Sequence, residues 1–363
     1  FAQTTPEDYA RLITPADLKD NLSILASDAL EGRETGSRGQ KMAAAFISAH
    51  FTELGLKGPV DGSNYQPFDL HKLVPGETYI MTGGTRYDNF QDVVYYGKDN
   101  SNGEISLPVV YAGKGGAEDY QHIDVSGKGV MVFIGESDDY RAPVSEARSR
   151  NAKMVFVVNT RTQEQFTEYA RSFEAFISDG SLSLNKPVVN DSNSGIFFIS
   201  PAVAERIFDT SFKRLSEEVL QPKPGAKNKI APGKIVFKTS VEIKKVPSEN
   251  VLGYLEGTDK KDEVIVITSH YDHIGKKKQG QGDLINNGAD DDGSVTVAVM
   301  QLGKAFVQAK KDGHGPRRSI LFMTVAGEEN GLLGSEYYTR FPVFPLANTV
   351  VNLNIDMIGR PDE

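Results

Sequence analysis

Four short stretches of the chain concentrate side chains that could do chemistry: His270-Tyr271-Asp272-His273, Asp290-Asp291-Asp292, Glu328-Glu329 and Asp356. Adjacent carboxylates repel one another, and an unpaired carboxylate is costly to bury. The run NNGADDDGS (286–294) is therefore either a solvated acidic loop or a place where a cation uses those oxygens. The chain contains no cysteine, so transition-metal ligands must be His, Asp or Glu. One imidazole among several carboxylates suits zinc, with manganese or cobalt compatible by ligand type. A pair of divalent cations would balance three ligating carboxylates and a bridging hydroxide. One carboxylate of the triplet then bridges while its neighbours shape the loop and cap the next helix. Adjacent side chains point apart, so one of Glu328 and Glu329 can ligate while the other faces water as a general base. Asp272, two residues after His270, is placed to orient that imidazole. Singly, each stretch has a plainer reading: a surface His, acids at the positive end of a helix, or Asp292 or Ser294 as a helix cap.

The elements that carry these residues decide between the readings. Residues 264–268 are a continuous apolar run, 319–325 a second apolar run and 350–355 a third, with Asn352 and Asn354 inside it, and helical patterns cover 294–309 and the chain from about 330. Apolar strands alternating with helices indicate a mostly parallel central sheet flanked by helices, an α/β fold. Ligands of such sheets bind beyond the carboxyl ends of the strands. His270 follows the first run, Glu328 and Glu329 follow the second, and Asp356 ends the third. The triplet lies on the loop leaving the first. Convergence on one sheet edge predicts a metal site.

Upstream, residues 15–26 carry Leu18, Leu22 and Leu25 on one helical face. Residues 40–54 carry Met42, Phe46, Ile47, Phe51 and Leu54 at helical spacing, with Gly55 as the stop. Between them, LEGRETGSRGQ reads as a loop. From 130 onward the texture changes to β-rich pieces at 130–135, 152–159, 195–200 and 234–243, with helix at 202–215 and an exposed Pro-, Gly- and Lys-rich loop at 221–234. Residues 1–86 and 245–363 are read as two parts of one catalytic domain and 87–244 as a β-rich domain inserted between them. The net charge of −9 and pI of about 5.3 argue against a nucleic-acid partner. No apolar run reaches the roughly 20 residues that span a bilayer. The opening Phe1-Ala2-Gln3, without an initiator Met, reads as the cut end of a secretory leader, predicting a secreted or periplasmic protein.

The motifs SHYDHIG (269–275), NNGADDDGS (286–294), AGEENGLLGS (326–335) and NIDMIG (354–359), in this order, resemble peptidase family M28, the zinc-dependent exopeptidases of aminopeptidase type. LEGRETGSRG (30–39) resembles that family's N-terminal segment, and DVSGKGVMVFIG (124–135) with AKMVFVVN (152–159) resembles an inserted protease-associated domain. The resemblance implies a zinc-peptidase-like α/β/α fold and removal of N-terminal residues from peptides with a free amino terminus. It implies Asp291 as the bridge between two zinc ions, joined to Asp292 by a cis bond. His270 and Asp356 would complete one position and Glu329 would hold the other. Glu328 would be the general base, and a metal-held hydroxide would attack the peptide carbonyl.

The chain departs from the family's pattern in having Val295 where glycine is usual. The family's second zinc also takes a histidine from far downstream of Asp356. His50, His71, His122 and His314 do not fit that role, and His273 is read as a companion of His270 that does not ligate. The expectation is that the natural protein continues, and that the 363 residues alone hold at most one zinc ion tightly, with the 350–355 strand poorly covered. Two other functions share this scaffold: a glutaminyl-cyclase-like acyltransferase with a single zinc, and a peptidase-like binding protein without activity. Retention of His270, Asp291, Glu328, Glu329 and Asp356 argues against the second.

Overall fold

The computed structural model describes residues 5–135, 139–189, 195–220, 230–277 and 280–360. Residues 1–4, on which the expectation of a cleaved leader rests, most of the 221–234 loop and the last three residues lie outside the described set. The chain divides into two compact units: Phe1–His71 with Leu182–Asn185 and Lys245–Glu363, and Lys72–Ser181 with Lys186–Lys244.

In the first unit, Thr14 caps the helix Pro15–Leu25 by accepting from Asp17 N, and Ser37 caps Arg38–Leu54 by accepting from Gln40 N. Gly55, left-handed at φ 86°, ends the second, where a β-carbon would be disfavoured. Its sheet has the order Tyr65–Pro75, Val241–Leu255, Arg318–Val325, Lys260–His270, Thr349–Asn354. The last three strands run parallel, with His270 opposite Val325 and Thr268 opposite Asn354; Val241–Leu255 runs antiparallel to its neighbour. Side chains alternate across the sheet. Ile267, Ile320 and Phe322 pack with Phe51, Ile47, Val299 and Met300 of the helices on one face. Val266, Leu321 and Met323 pack with Tyr338 on the other. Each such burial contributes about 1.5–3 kcal/mol. This is the expected mixed, largely parallel α/β sheet. The Thr349–Asn354 strand lies at its edge, with Val350 52%, Val351 40% and Leu353 49% exposed.

The second unit is built on an eight-stranded sheet whose Ile105–Tyr111, Gly129–Phe133, Met154–Val158 and Ile196–Ile199 strands are parallel, with antiparallel strands on either side. Helices such as Arg141–Ser149, Gln163–Asp179 and Pro201–Phe208 connect its strands, so it is an α/β layer rather than merely β-rich. Its two faces carry separate cores, around Phe156 and Phe197 and around Val155 and Phe198. The expected helix at 202–215 is broken into Pro201–Phe208 and Phe212–Leu220 by Asp209, which is left-handed at φ 47°. The expected start of this unit at residue 87 moves to 72. The reason is pairing: Tyr79–Thr82 bonds to Thr85–Asp88 on one side and to Gly233–Lys238 on the other.

Candidate metal centre

His270 is the last residue of its strand and is 4% exposed. Its backbone N–H donates to Asp292 Oδ2 at 3.1 Å, and its carbonyl accepts from Thr296 Oγ1 at 2.8 Å. Its Nδ1 lies 3.1 Å from the carbonyl oxygen of Asp272. A proton there leaves Nε2 with its lone pair toward the acids. Nε2 stands 3.1 Å from Asp291 Oδ1, 3.8 Å from Glu328 Oε2 and 3.8 Å from Asp356 Oδ1. Burial opposes a charge on this imidazole, but Asp272, Asp292 and Glu328 outweigh it, and without a cation His270 is pushed up to about 9.

Asp272, expected to orient the His270 imidazole, meets it through its backbone. Its backbone carbonyl is the partner of the His270 ring, while its carboxylate is 3.8 Å from Nδ1, beyond hydrogen-bond reach. The carboxylate instead accepts from Thr35 Oγ1 at 2.6 Å and from Gly327 N at 2.8 Å, which ties it to the turn that presents Glu328.

The aspartate triplet divides its labour. Asp290 Oδ1 accepts from Gly359 N at 2.7 Å, and Ser294 Oγ donates to the Asp290 carbonyl at 2.9 Å. Asp292 is fully buried and also accepts from Met357 N at 3.4 Å, so it ties two strand ends together. Burial pushes its carboxyl up to about 7, against the pull of His270. Asp291 is the one that faces outward to the imidazoles, and the peptide joining it to Asp292 is cis. Gly288, at φ +56°, makes the turn: a β-carbon there would lie 2.4 Å from the Asp291 carbonyl oxygen and 2.6 Å from the His273 ring.

His273, set aside in the sequence, belongs to the cluster. Its Nδ1 is 2.7 Å from Glu329 Oε1 and 3.9 Å from Asp291 Oδ1. The available signal was the His270–His273 spacing on one turn beyond a strand end. Ligand-type atoms of His270, Asp292 and Asp356 lie within 4.8 Å of one another, as do those of His273, Asp291 and Glu329. The expected partition grouped Asp291 with His270 and Asp356. Geometry puts Asp292 in that group, yet the same Asp291 oxygen approaches both imidazoles, which is where a bridging carboxylate would sit. Glu328 is partly buried, and burial holds its carboxyl above the ordinary range. The two Glu side chains separate as expected, Glu328 toward His270 and Glu329 toward His273.

This donor set fits divalent cations. Imidazole nitrogens and carboxylate oxygens face one another with few cations nearby: Arg33 is committed to backbone carbonyls and Arg360 stands 3.6 Å from Asp290.

Residues 250–363 match the sequence profile of peptidase family M28. A "probable zinc metalloprotease" of Pyrenophora teres f. teres is 34% identical over 123 residues, which are 31% of this chain and 22% of that protein. A "probable glutamate carboxypeptidase" of Arabidopsis thaliana is 24% identical over 98% of this chain and 57% of its own length. The chain thus spans well under two thirds of these relatives. Among solved structures, an aminopeptidase from Aneurinibacillus sp. strain AM-1 aligns with 99% of this chain and 74% of its own at 18% identity and a TM-score of 0.47. A zinc aminopeptidase from Bacillus subtilis aligns with 95% and 69% at 19% identity and a TM-score of 0.42. The matched residues, 250–363, hold every one of these acids and imidazoles.

Proposed function

We propose that the protein is a zinc-dependent aminopeptidase, releasing N-terminal residues from peptides. The observation that carries it is the meeting of Glu328, His270, Asp291 and Asp356 around one imidazole nitrogen, with His273 and Glu329 beside them. His270 and Asp356 would hold one zinc ion and Glu329 another, with Asp291 between; His273 is placed to add to the second set. Zinc in such a position acidifies a water and polarises the scissile carbonyl. Glu328 takes the proton from the attacking water and delivers it to the leaving amine. Its partial burial supports this work, because a carboxyl held above its usual range is the stronger proton acceptor. Asp272 keeps that turn in place through Gly327 N.

The choice of the amino terminus rests on the resemblance of the four motifs to the aminopeptidase-type exopeptidases of family M28. The second unit is proposed to be a protease-associated domain, and the protein to act outside the cytoplasm. The test is Glu328→Gln on aminoacyl anilides and on peptides with free or acetylated N-termini. Zinc content should stay, and kcat should fall about 10²–10⁴-fold. Near-normal kcat would remove Glu328 from its role. Cleavage of acetylated peptides would reject the aminopeptidase reading, and cyclisation of N-terminal glutamine without hydrolysis would identify a cyclase.

A further inference from the structure

The segment LEGRETGSRG contributes no side chain to the acid cluster, yet it is wound tightly against it. Glu31, Gly32 and Arg33 are all left-handed, at φ 53°, 70° and 49°. The Arg33 side chain is 1% exposed and is the largest fully buried one in the described chain. Its Nε donates to the Tyr271 carbonyl at 2.7 Å, Nη1 to Asn287 at 2.6 Å and also to Leu25, and Nη2 to Gly288 at 2.8 Å. Tyr271 lies between His270 and Asp272; Asn287 and Gly288 lead into the aspartate triplet. One rigid fork therefore spans both ligand-bearing turns. The segment adds more: Arg33 O accepts from His273 N at 3.1 Å, Gly32 O from Gly275 N at 3.0 Å, and Thr35 Oγ1 donates to Asp272.

Among the described residues, no carboxylate oxygen bonds the guanidinium directly. Its charge is nonetheless seated behind Asp272, Asp292 and Asp291, whose charges oppose the cost of burying it. A cation that spends four of its five N–H donors on carbonyls leaves the carboxylates free to face other partners while still lowering their mutual repulsion. A carboxylate-paired arginine would do the opposite, using up the oxygens that a metal needs.

We infer that Arg33 and Thr35 are positioning residues for the metal centre: Arg33 sets the spacing between the His270–His273 turn and the aspartate turn, and Thr35 fixes Asp272. The inference rests on the zinc reading of the site. Lysine keeps the charge of Arg33 but gathers its donors on one nitrogen, so it cannot span Tyr271, Asn287 and Gly288 together.

The experiment measures zinc affinity by chelator competition, and melting with and without zinc, for the wild-type chain, Arg33→Lys and Thr35→Val. Groups that orient metal ligands typically change affinity or activity about 10–100-fold. Arg33→Lys should fall in that range and show a smaller zinc-induced rise in Tm than wild type. A merely structural role would lower both melting temperatures together and leave the zinc-induced rise intact, and that result overturns the Arg33 assignment. Should Arg33→Lys fail to fold, Thr35→Val carries the test: kcat should fall about 10-fold or more with KM little changed, and wild-type kcat and zinc affinity would overturn the inference. Wild-type protein that binds no zinc would instead refute the zinc reading itself.

Discussion

Replacing Gly288 by alanine probes the geometry of the centre with a single methyl group. The backbone there is left-handed at φ +56°, which costs an alanine roughly 1–2 kcal/mol. The added carbon would also sit 2.4 Å from the Asp291 carbonyl oxygen and 2.6 Å from the His273 ring. Ordinary contact begins near 3.4 Å, so one or both must retreat by about an ångström. His273 cannot swing aside without losing its 2.7 Å contact with Glu329, and Asp291 cannot move without changing its 3.1 Å approach to His270. Misplacement of about 1 Å typically costs on the order of 10²-fold in rate. For a unit of about 190 residues, 1–2 kcal/mol lowers Tm by about 2–8 °C. Gly288→Ala should therefore stay folded at 25 °C, melt a few degrees lower, bind zinc at least 10-fold more weakly and lose about 10²-fold in kcat. Chelator competition, calorimetric melting and anilide hydrolysis read these three quantities separately. A variant with the same small loss of Tm but wild-type zinc affinity and kcat would refute the claim that this turn sets the position of Asp291.

Asp291→Asn should lose zinc and not only rate, since a neutral amide bridges cations poorly; unchanged stoichiometry and affinity in metal analysis would move the bridge to Asp292 or Asp290. Zinc affinity should rise with pH up to about 9, because a cation must displace the proton that His270 holds below that value; competition titrations that are flat between pH 6 and 8 would contradict the placement of His270 among the ligands. Excising residues 72–244 with a short linker should leave a folded first unit, with the loss of two backbone bonds between His71 and Ser183. Global unfolding of that variant, seen by near-ultraviolet circular dichroism, would show that the units depend on one another.

The sheet edge was legible in the sequence for a physical reason. Parallel strands inside a sheet are buried on both faces, so residues 264–267 and 320–323 read as apolar runs, and the polar residues just beyond a run mark the carboxyl end where ligands gather. That places His270, Glu328 and Asp356 without any structure. Other features depend on contacts that local pattern does not encode. Asp290, Asp291 and Asp292 are one residue type in one run, and only the fold makes Asp292 a buried tie and Asp291 the group facing the imidazoles. His273 joins the cluster because the 271–275 turn is pinned by Arg33 O and Gly32 O, from more than two hundred residues away. The start of the second unit was misplaced for a similar reason: Tyr79–Thr82 takes its partner from Gly233–Lys238, and pairing over that distance leaves no local mark.

The inserted unit also bears on how the first one assembles. Tyr65–Pro75 and Val241–Leu255 are neighbours in one sheet, though about 170 residues separate them along the chain. As a flexible loop, that span would impose a large closure entropy on any attempt to pair them. Once folded, the insert holds its own ends together, with Gly76 N donating to the carbonyl of Ser240 at 2.8 Å. The loop that remains is a handful of residues. Closure entropy grows by about 0.6 kcal/mol per doubling of length, so roughly five doublings are removed, a gain of about 3 kcal/mol. A folded insert thereby brings together the two strands of the first unit's sheet. The N-terminal segment carrying Arg33 waits until Tyr271 and Gly288 arrive to be clamped.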